Sequence, residues 1–287
     1  MGLGFVLIIA SILLNQTEGV FIKKYNSKHS VGGFIFTGLV SVFSMLFFVI
    51  TNTDGFYFPP GMWIYAVAAG ILYCMASFLT FVALGCGSYA MSMLILSYGL
   101  VFKIGYGLIF LGEPSNIFTY LGLATIFVSI YLTRRQKDEK KSKVTFKWLV
   151  CILLSTFGSG MFGVISKMQQ VAFNNSCDNE FMIIALGLSA ASLFVIGIIK
   201  DGKNLPYIMK HGSLFASGAG LSNGANNFMS LWVNTLMPVS LSSPIHAGLK
   251  IVIVFIISKI LFKEKFLKRQ VGGVFLGAVA LVLLNIK

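Results

Sequence analysis

Leu111-Gly112-Glu113 closes one apolar stretch of the chain, and nine residues past the glutamate a new apolar stretch carries Gly122. Phe262-Lys263-Glu264 closes another, and nine residues past that glutamate stands Gly273. The two pairs are separated by the same 151 residues. A repeat at this offset divides the 287-residue chain into two similar halves, an organisation typical of membrane proteins that move a solute across the bilayer.

Hydropathy sets the class. Hydrophobic residues are 56% of the chain and charged ones 11%, so long runs have almost no charge and reach the ~20 residues a spanning helix needs. The runs predict ten spans, near 3–22, 31–51, 62–83, 88–111, 116–133, 146–166, 181–199, 213–235, 239–262 and 270–286. They are solid apolar runs without two-residue alternation, which argues against strands and a barrel. The expected fold is an all-α integral membrane protein. The first span has neither a basic stretch before it nor a small-residue cleavage site after it, so it reads as a retained helix. The four cysteines form no Cys-x-x-Cys pair and suggest no disulfide framework.

The net charge of +13 would suggest nucleic acid in a soluble protein. Here it is distributed by loop. Numbering the loops alternately, one side holds Lys23, Lys24 and Lys28, then seven basic residues between Arg134 and Lys147. The same side holds Lys200, Lys203 and Lys210, then Lys263, Lys265, Lys268 and Arg269. The other side has Lys167 and Lys287. The excess of basic residues marks the cytoplasmic side and puts both termini outside. The run at 134–147 also suits contact with anionic lipid headgroups. The expectation is a multi-pass protein, in the cell membrane, with a small-molecule substrate and membrane lipid as partners and no nucleic acid. The oligomeric state is not legible.

Each half has five spans, and an odd number inverts the second half relative to the first. Residues 1–133 form the first five-helix repeat, 134–147 a basic linker, and 148–287 the second repeat. Other pairs keep the register: Gly19-Val20 with Gly163-Val164, Lys23 with Lys167, and Ala69-Gly70 with Ala219-Gly220. The five-plus-five plan, the cationic ends of the first helix of each half and the two glutamate turns together resemble the drug/metabolite transporter superfamily. The likeness is to its ten-helix EamA-type members and covers essentially the whole chain. It implies alternating access around a central cavity, with substrates as diverse as amino acids, drugs, sugars and nucleotide sugars. It also implies cytoplasmic termini, against the charge distribution. Ala247-Gly248-Leu249-Lys250 loosely resembles the GALNK-type motif of nucleotide-sugar transporters, with Ala and Gly exchanged and no Asn before Lys, and agrees with an anionic ligand.

The two glutamates read as local caps, each accepting from the free N–H groups of the helix that follows it. Polar stripes carry more functional weight. Tyr73, Ser77 and Thr80 in the third span stand at i, i+4, i+7, and Asn223, Asn227 and Ser230 repeat that spacing 150 residues on, continued by Asn234. Ser11, Asn15 and Glu18 do the same in the first span, with Ser155 and Ser159 as counterparts, and the ninth carries Ser242, Ser243, His246 and Lys250. Single serines mostly bond neighbouring helices; the asparagine stripe with its repeat partner reads as a cavity wall.

Lys103 stands roughly 13 Å from the outer end of its span and Lys250 roughly 16 Å, at 1.5 Å per residue. Both are near the middle of a core about 30 Å thick. A charge there costs about 2.5–3.5 kcal/mol, and Glu18 is the only carboxylate expected within a span. At least one lysine, with His246, is left for a substrate anion to pair. The bland reading is a deprotonated or carbonyl-bonded lysine. Gly158-Ser159-Gly160-Met161-Phe162-Gly163 fits the dinucleotide pattern but lies inside an apolar helix with no strand before it, so it reads as close helix packing, as do the G-x-x-x-G pairs Gly220–Gly224 and Gly273–Gly277.

The leading reading is a secondary transporter for a small polar, anionic metabolite. Its expected substrate-binding residues are Lys103, Lys250, His246, Asn223, Asn227, Tyr73 and Ser77, with Glu18 or His246 coupling transport to protons. The alternative is a proton-linked exporter of amino acids or drugs in which Glu18 is the site and the lysines are structural. A membrane-embedded hydrolase using Ser242 or Ser243 with His246 is a distant third. No catalytic residue, metal or cofactor is expected.

The charge distribution makes a direct prediction. In a cysteine-free background on intact cells, an impermeant maleimide should label a C-terminal cysteine and spare Asp138→Cys. The reverse pattern would overturn the orientation.

Overall fold

A computed structural model describes residues 2–29, 31–53, 55–112, 116–133, 146–264 and 268–285. These residues are all-helical, with no strand among them. In chain order the helices are α1 (Gly2–Lys28), α2 (Gly33–Thr51), α3 (Met62–Cys86), α4 (Tyr89–Ser97), α5 (Leu100–Phe110) and α6 (Ile117–Thr133). Then come α7 (Phe146–Ala172), α8 (Asp178–Asp201), a 3-10 turn (Gly202–Asn204), α9 (Leu205–Leu236), α10 (Val239–Leu261) and α11 (Lys268–Asn285). Among the described residues six helical stretches are long and apolar enough to cross a membrane: Gly2–Lys28, Gly33–Thr51, Met62–Cys86, Tyr89–Phe110, Phe146–Ala172 and Asp178–Leu236. Large apolar side chains such as Ile50, Ile64, Ile109, Leu214 and Phe275 stay exposed on the outside. Buried polar ones such as Gln16, Ser44, Gln170 and Asn223 lie inside. That is the polarity of a multi-pass membrane protein.

The fourth predicted span, 88–111, is one crossing made of two helices. Around Tyr98-Gly99 the bonds tighten to three-residue steps: Tyr98 N to Ile95 O, Gly99 N to Leu96 O, Val101 N to Tyr98 O and Phe102 N to Gly99 O. Such a 3-10 jog marks a helix deformed by a neighbour. The neighbour is α7, whose Gly160 backbone lies against Gly99, so that a methyl group on Gly160 would fall 2.7 Å from the Gly99 carbonyl oxygen. The glycine motif therefore works in close packing. The first, third, sixth, seventh and eighth predicted spans are shorter than the helices observed. α9 has 32 residues, about 48 Å long, and its first turns, opened by Pro206, continue beyond any apolar run.

α1 packs on α9 and α10, α2 on α8 and α9, and α3 on α7 and α8; α6 packs on α11, and α10 also meets α4, α5 and α11. Rings fill the spaces between helices: Tyr25 stacks on Phe36 at 4.1 Å and Phe34 on Phe78 at 3.8 Å.

Two charged groups hold helix ends. Lys23 Nζ donates to Leu84 O and Gly87 O at the C-terminus of α3, both at 2.7 Å. Lys167 Nζ donates to Asn234 O near the C-terminus of α9 at 3.0 Å. Cations there meet carbonyls that have no partner within the helix and the negative end of its dipole. Glu264 is a cap, but not of the helix that follows it. Its carboxylate accepts from Tyr89 N at 2.7 Å, Ala90 N at 3.1 Å and Ser88 Oγ at 2.9 Å, at the start of α4. The sequence pointed to the nearest helix in the chain; packing brings a helix 175 residues away closer. Glu113 lies outside the described residues.

Removing this cap gives a stability test. Glu264→Ala leaves the first N–H groups of α4 without their acceptor and should lower stability by about 1–2 kcal/mol, read as a lower midpoint in a thermal melt of the detergent-solubilised chain.

Candidate functional site

A cavity of about 280 Å³ lies within the bundle. α1 contributes Ser11, Asn15 and Glu18; α3 contributes Tyr73, Ser77 and Thr80; α9 contributes Asn223, Asn227, Ser230 and Asn234. Lys103 enters from α5, and Ser242, His246 and Lys250 from α10. Every residue expected to bind substrate or to couple protons therefore lines one space. The three-and-four spacing turned each polar side chain to the same helix face, and packing turned those faces together.

Asn223 organises the centre. Its Oδ1 accepts from Tyr73 Oη at 2.7 Å, Ser44 Oγ at 2.8 Å and Asn227 Nδ2 at 2.9 Å. Two hydroxyls and one amide N–H thus meet on a single oxygen. The Nδ2 group is left to face the other way, where the Glu18 carboxyl lies beside Asn223. Phe162 packs on the Tyr73 ring at 5.4 Å and limits its rotation.

The charged groups share this space. Lys250, 8% exposed, acts electrostatically on both Glu18 and His246, and Lys103 acts on Lys250 and His246. The two ammonium groups are thus near each other and not on opposite faces of the bundle. Among the described residues neither donates a hydrogen bond, and the Glu18 carboxylate acts on Lys250. Lys103 reaches the cavity across Gly163. A methyl group there would overlap its Cε, so the lysine stem would have to move. The last glycine of the misleading motif has this job.

Some stripe members are glue. Ser155 donates to Ala76 O at 2.9 Å and pairs with Thr80 at 2.6 Å, between α7 and α3. Ser159 lines the cavity, while the side chain of Ser243 lies outside the described residues. Other residues were missed. Thr37, Ser41 and Ser44 on α2 carry the same i, i+4, i+7 spacing as the other stripes; Thr37 lines the cavity and Ser44 bonds Asn223. That signal was legible. Asn226, one turn from Asn223 and 8% exposed, also lines the cavity. Among the described residues no group of three or more His, Cys, Asp or Glu side chains gathers to hold a metal ion.

The chain matches no family model and no curated protein. Twenty-eight solved chains match its structure. One, a crystal structure described only as that of a protein, superposes with a TM-score of 0.66 at 12% identity, over 98% of this chain and 96% of its own. At that identity the likeness concerns the fold alone.

The centre is testable without a substrate. Asn223→Leu strands the Tyr73 and Ser44 hydroxyls and should cost about 1–3 kcal/mol. Tyr73→Phe alone should cost less. The double variant should be less destabilised than the sum by about 1 kcal/mol, measured as a double-mutant cycle of thermal or denaturant unfolding.

Proposed function

We propose that the chain is a secondary transporter that moves a small polar, anionic metabolite across the membrane by alternating access. Ten spans in two inverted five-helix repeats carry this reading, as in EamA-type members of the drug/metabolite transporter superfamily. One observation supports it above the others. Tyr73 and Asn223 are counterparts at the repeat offset of 150 residues, and they hydrogen-bond to each other. Two atoms related by a two-fold axis touch only near that axis, so the bond favours a pseudo-two-fold through the cavity.

Reciprocal contacts support the same axis. A methyl on Gly70 would lie 2.9 Å from Ala185 O, and one on its counterpart Gly220 2.5 Å from Val40 O. Lys23 holds Leu84 O and Lys167 holds Asn234 O, donors 144 apart and acceptors 150 apart. The α1–α9 and α3–α7 pairings, and the α2–α9 and α3–α8 pairings, exchange when the halves are exchanged. A site on such an axis is the place where rocking of one half against the other exposes it to either side.

Substrate charge follows from the cavity. Lys103 and Lys250 lie in low dielectric and, among the described residues lining the cavity, Glu18 is the one acidic group, an imbalance that a carboxylate or phosphate removes. The asparagines and Tyr73 supply neutral hydrogen bonds for orientation. A cavity of about 280 Å³ suits a small metabolite. The amino acid or drug exporter stays as the second reading because Glu18 sits in the same cavity beside Asn223 and Lys250.

A thermal-shift screen of purified protein against carboxylated and phosphorylated metabolites, followed by uptake into proteoliposomes, tests this. Lys250→Met should abolish anion binding and uptake while the protein still folds, since methionine suits the bilayer better than lysine. Lys103→Met should reduce both. If both variants transport normally and Glu18→Gln does not, the exporter reading replaces this one.

A further inference from the structure

A second polar cluster lies away from the cavity lysines, where α7 turns into α8. Gln169 and Gln170, the last polar residues of α7, are both fully buried. Gln170 Nε2 donates to Asp178 Oδ2 at 2.9 Å and to Leu231 O at 3.2 Å. Gln169 Nε2 donates to Ser176 O at 2.9 Å, and its side chain also lies beside Asp178. These contacts fix both amides. Reversing either one would set its oxygen against a carbonyl or carboxylate oxygen. Both Oε1 atoms are therefore fixed as oxygens and left without a donor.

Gln169 Oε1, Gln170 Oε1 and Asp178 Oδ1 are buried and have no hydrogen-bond partner among the described residues. All three belong to side chains gathered on one carboxylate. Leaving such oxygens unmatched is costly, so their presence together calls for a ligand that accepts lone pairs. The charge balance agrees. Asp178 and Glu180 stand in the first turn of α8, and Lys167 is the cation that acts on Asp178. Lys167 is already engaged with Asn234 O, and Glu180 accepts from Asn52 Nδ2 and Tyr57 N. Among the described residues these two carboxylates stand against one lysine, which leaves one negative charge. Oxygen donors select a hard cation, and a single positive charge neutralises the cluster where a divalent ion would overshoot.

We propose that Gln169 Oε1, Gln170 Oε1 and Asp178 Oδ1 bind a sodium ion at the end of α7. The ion ties α7 and α8 to Leu231 of α9, a residue that also lines the cavity. The site is separate from the lysine and asparagine groups assigned to substrate, and its test needs no substrate.

Thermal unfolding of the full chain in detergent, at constant ionic strength in sodium, lithium, potassium or choline chloride, reads the site directly. Sodium should raise the midpoint saturably, on the order of 5 °C at a hundred-fold excess over Kd, with choline inert. Asp178→Asn should remove the response, and Gln169→Leu should raise the half-saturating sodium concentration at least tenfold. Binding of radioactive sodium to the purified protein should follow the same order. Equal midpoints in sodium and choline would overturn the proposal, and would mean that water or the Lys167 ammonium serves these oxygens. A response to potassium alone would overturn the choice of ion. A sodium response that survives Asp178→Asn would overturn the site. If that variant does not fold, an unchanged half-saturation in Gln169→Leu does so instead.

Discussion

Hydrocarbon offers no hydrogen bonds, so every polar group carried into the bundle has to meet another. Asn223 shows what that does to a structure. Its single side-chain oxygen gathers donors from α2, α3 and α9, and a helix cannot rotate or slide without stranding one of them. With no solvent-driven apolar collapse between helices in lipid, such bonds and close glycine contacts decide which faces meet. The bond from Tyr73 to Asn223 links α3 to α9 through their side chains, and α1 packs against α9 as α7 packs against α3.

The close contacts act with the polar ones. Gly220 and Gly224 let α9 lie against the α2 backbone, at Val40 O and Ser44 O. That approach brings Ser44 within reach of Asn223. Gly160 against Gly99 bends the α4–α5 crossing, and Gly163 makes way for the Lys103 stem. Small residues thus set the positions of the large charged ones. Gly163 itself lines the cavity, so a bulkier side chain there would displace the lysine and also take up space in the cavity.

The helix ends obey the same rule at a different depth. Carbonyls at the end of α3 take Lys23, and N–H groups at the start of α4 take Glu264, so one turn of chain is held by a cation and an anion from separate elements. The two act on each other electrostatically as well. On the opposite side Lys167 holds the end of α9 while Asp178 and the two glutamines join α7, α8 and α9. In the proposed transporter these joints bound the cavity at its two ends, and any rocking motion has to respect or release them.

Composition and periodicity alone determined that the chain is helical and built for a membrane. They also determined that Glu18, Tyr73, Asn223 and Asn227 stand on polar faces, and that Lys103 and Lys250 fall inside long apolar stretches. These properties are local: one turn of helix sets a face, and a count of apolar residues sets a stretch. The Thr37, Ser41, Ser44 stripe was equally local and went unread. What only the tertiary structure decided is which face meets which. Nothing near Glu264 in the chain points to α4, and nothing near Gly163 points to Lys103. The jog at Tyr98-Gly99 depends on a glycine some sixty residues away. Those pairings come from the packing of whole helices, where one contact holds only because many others do, and a sequence read along its length does not carry that information in any single stretch.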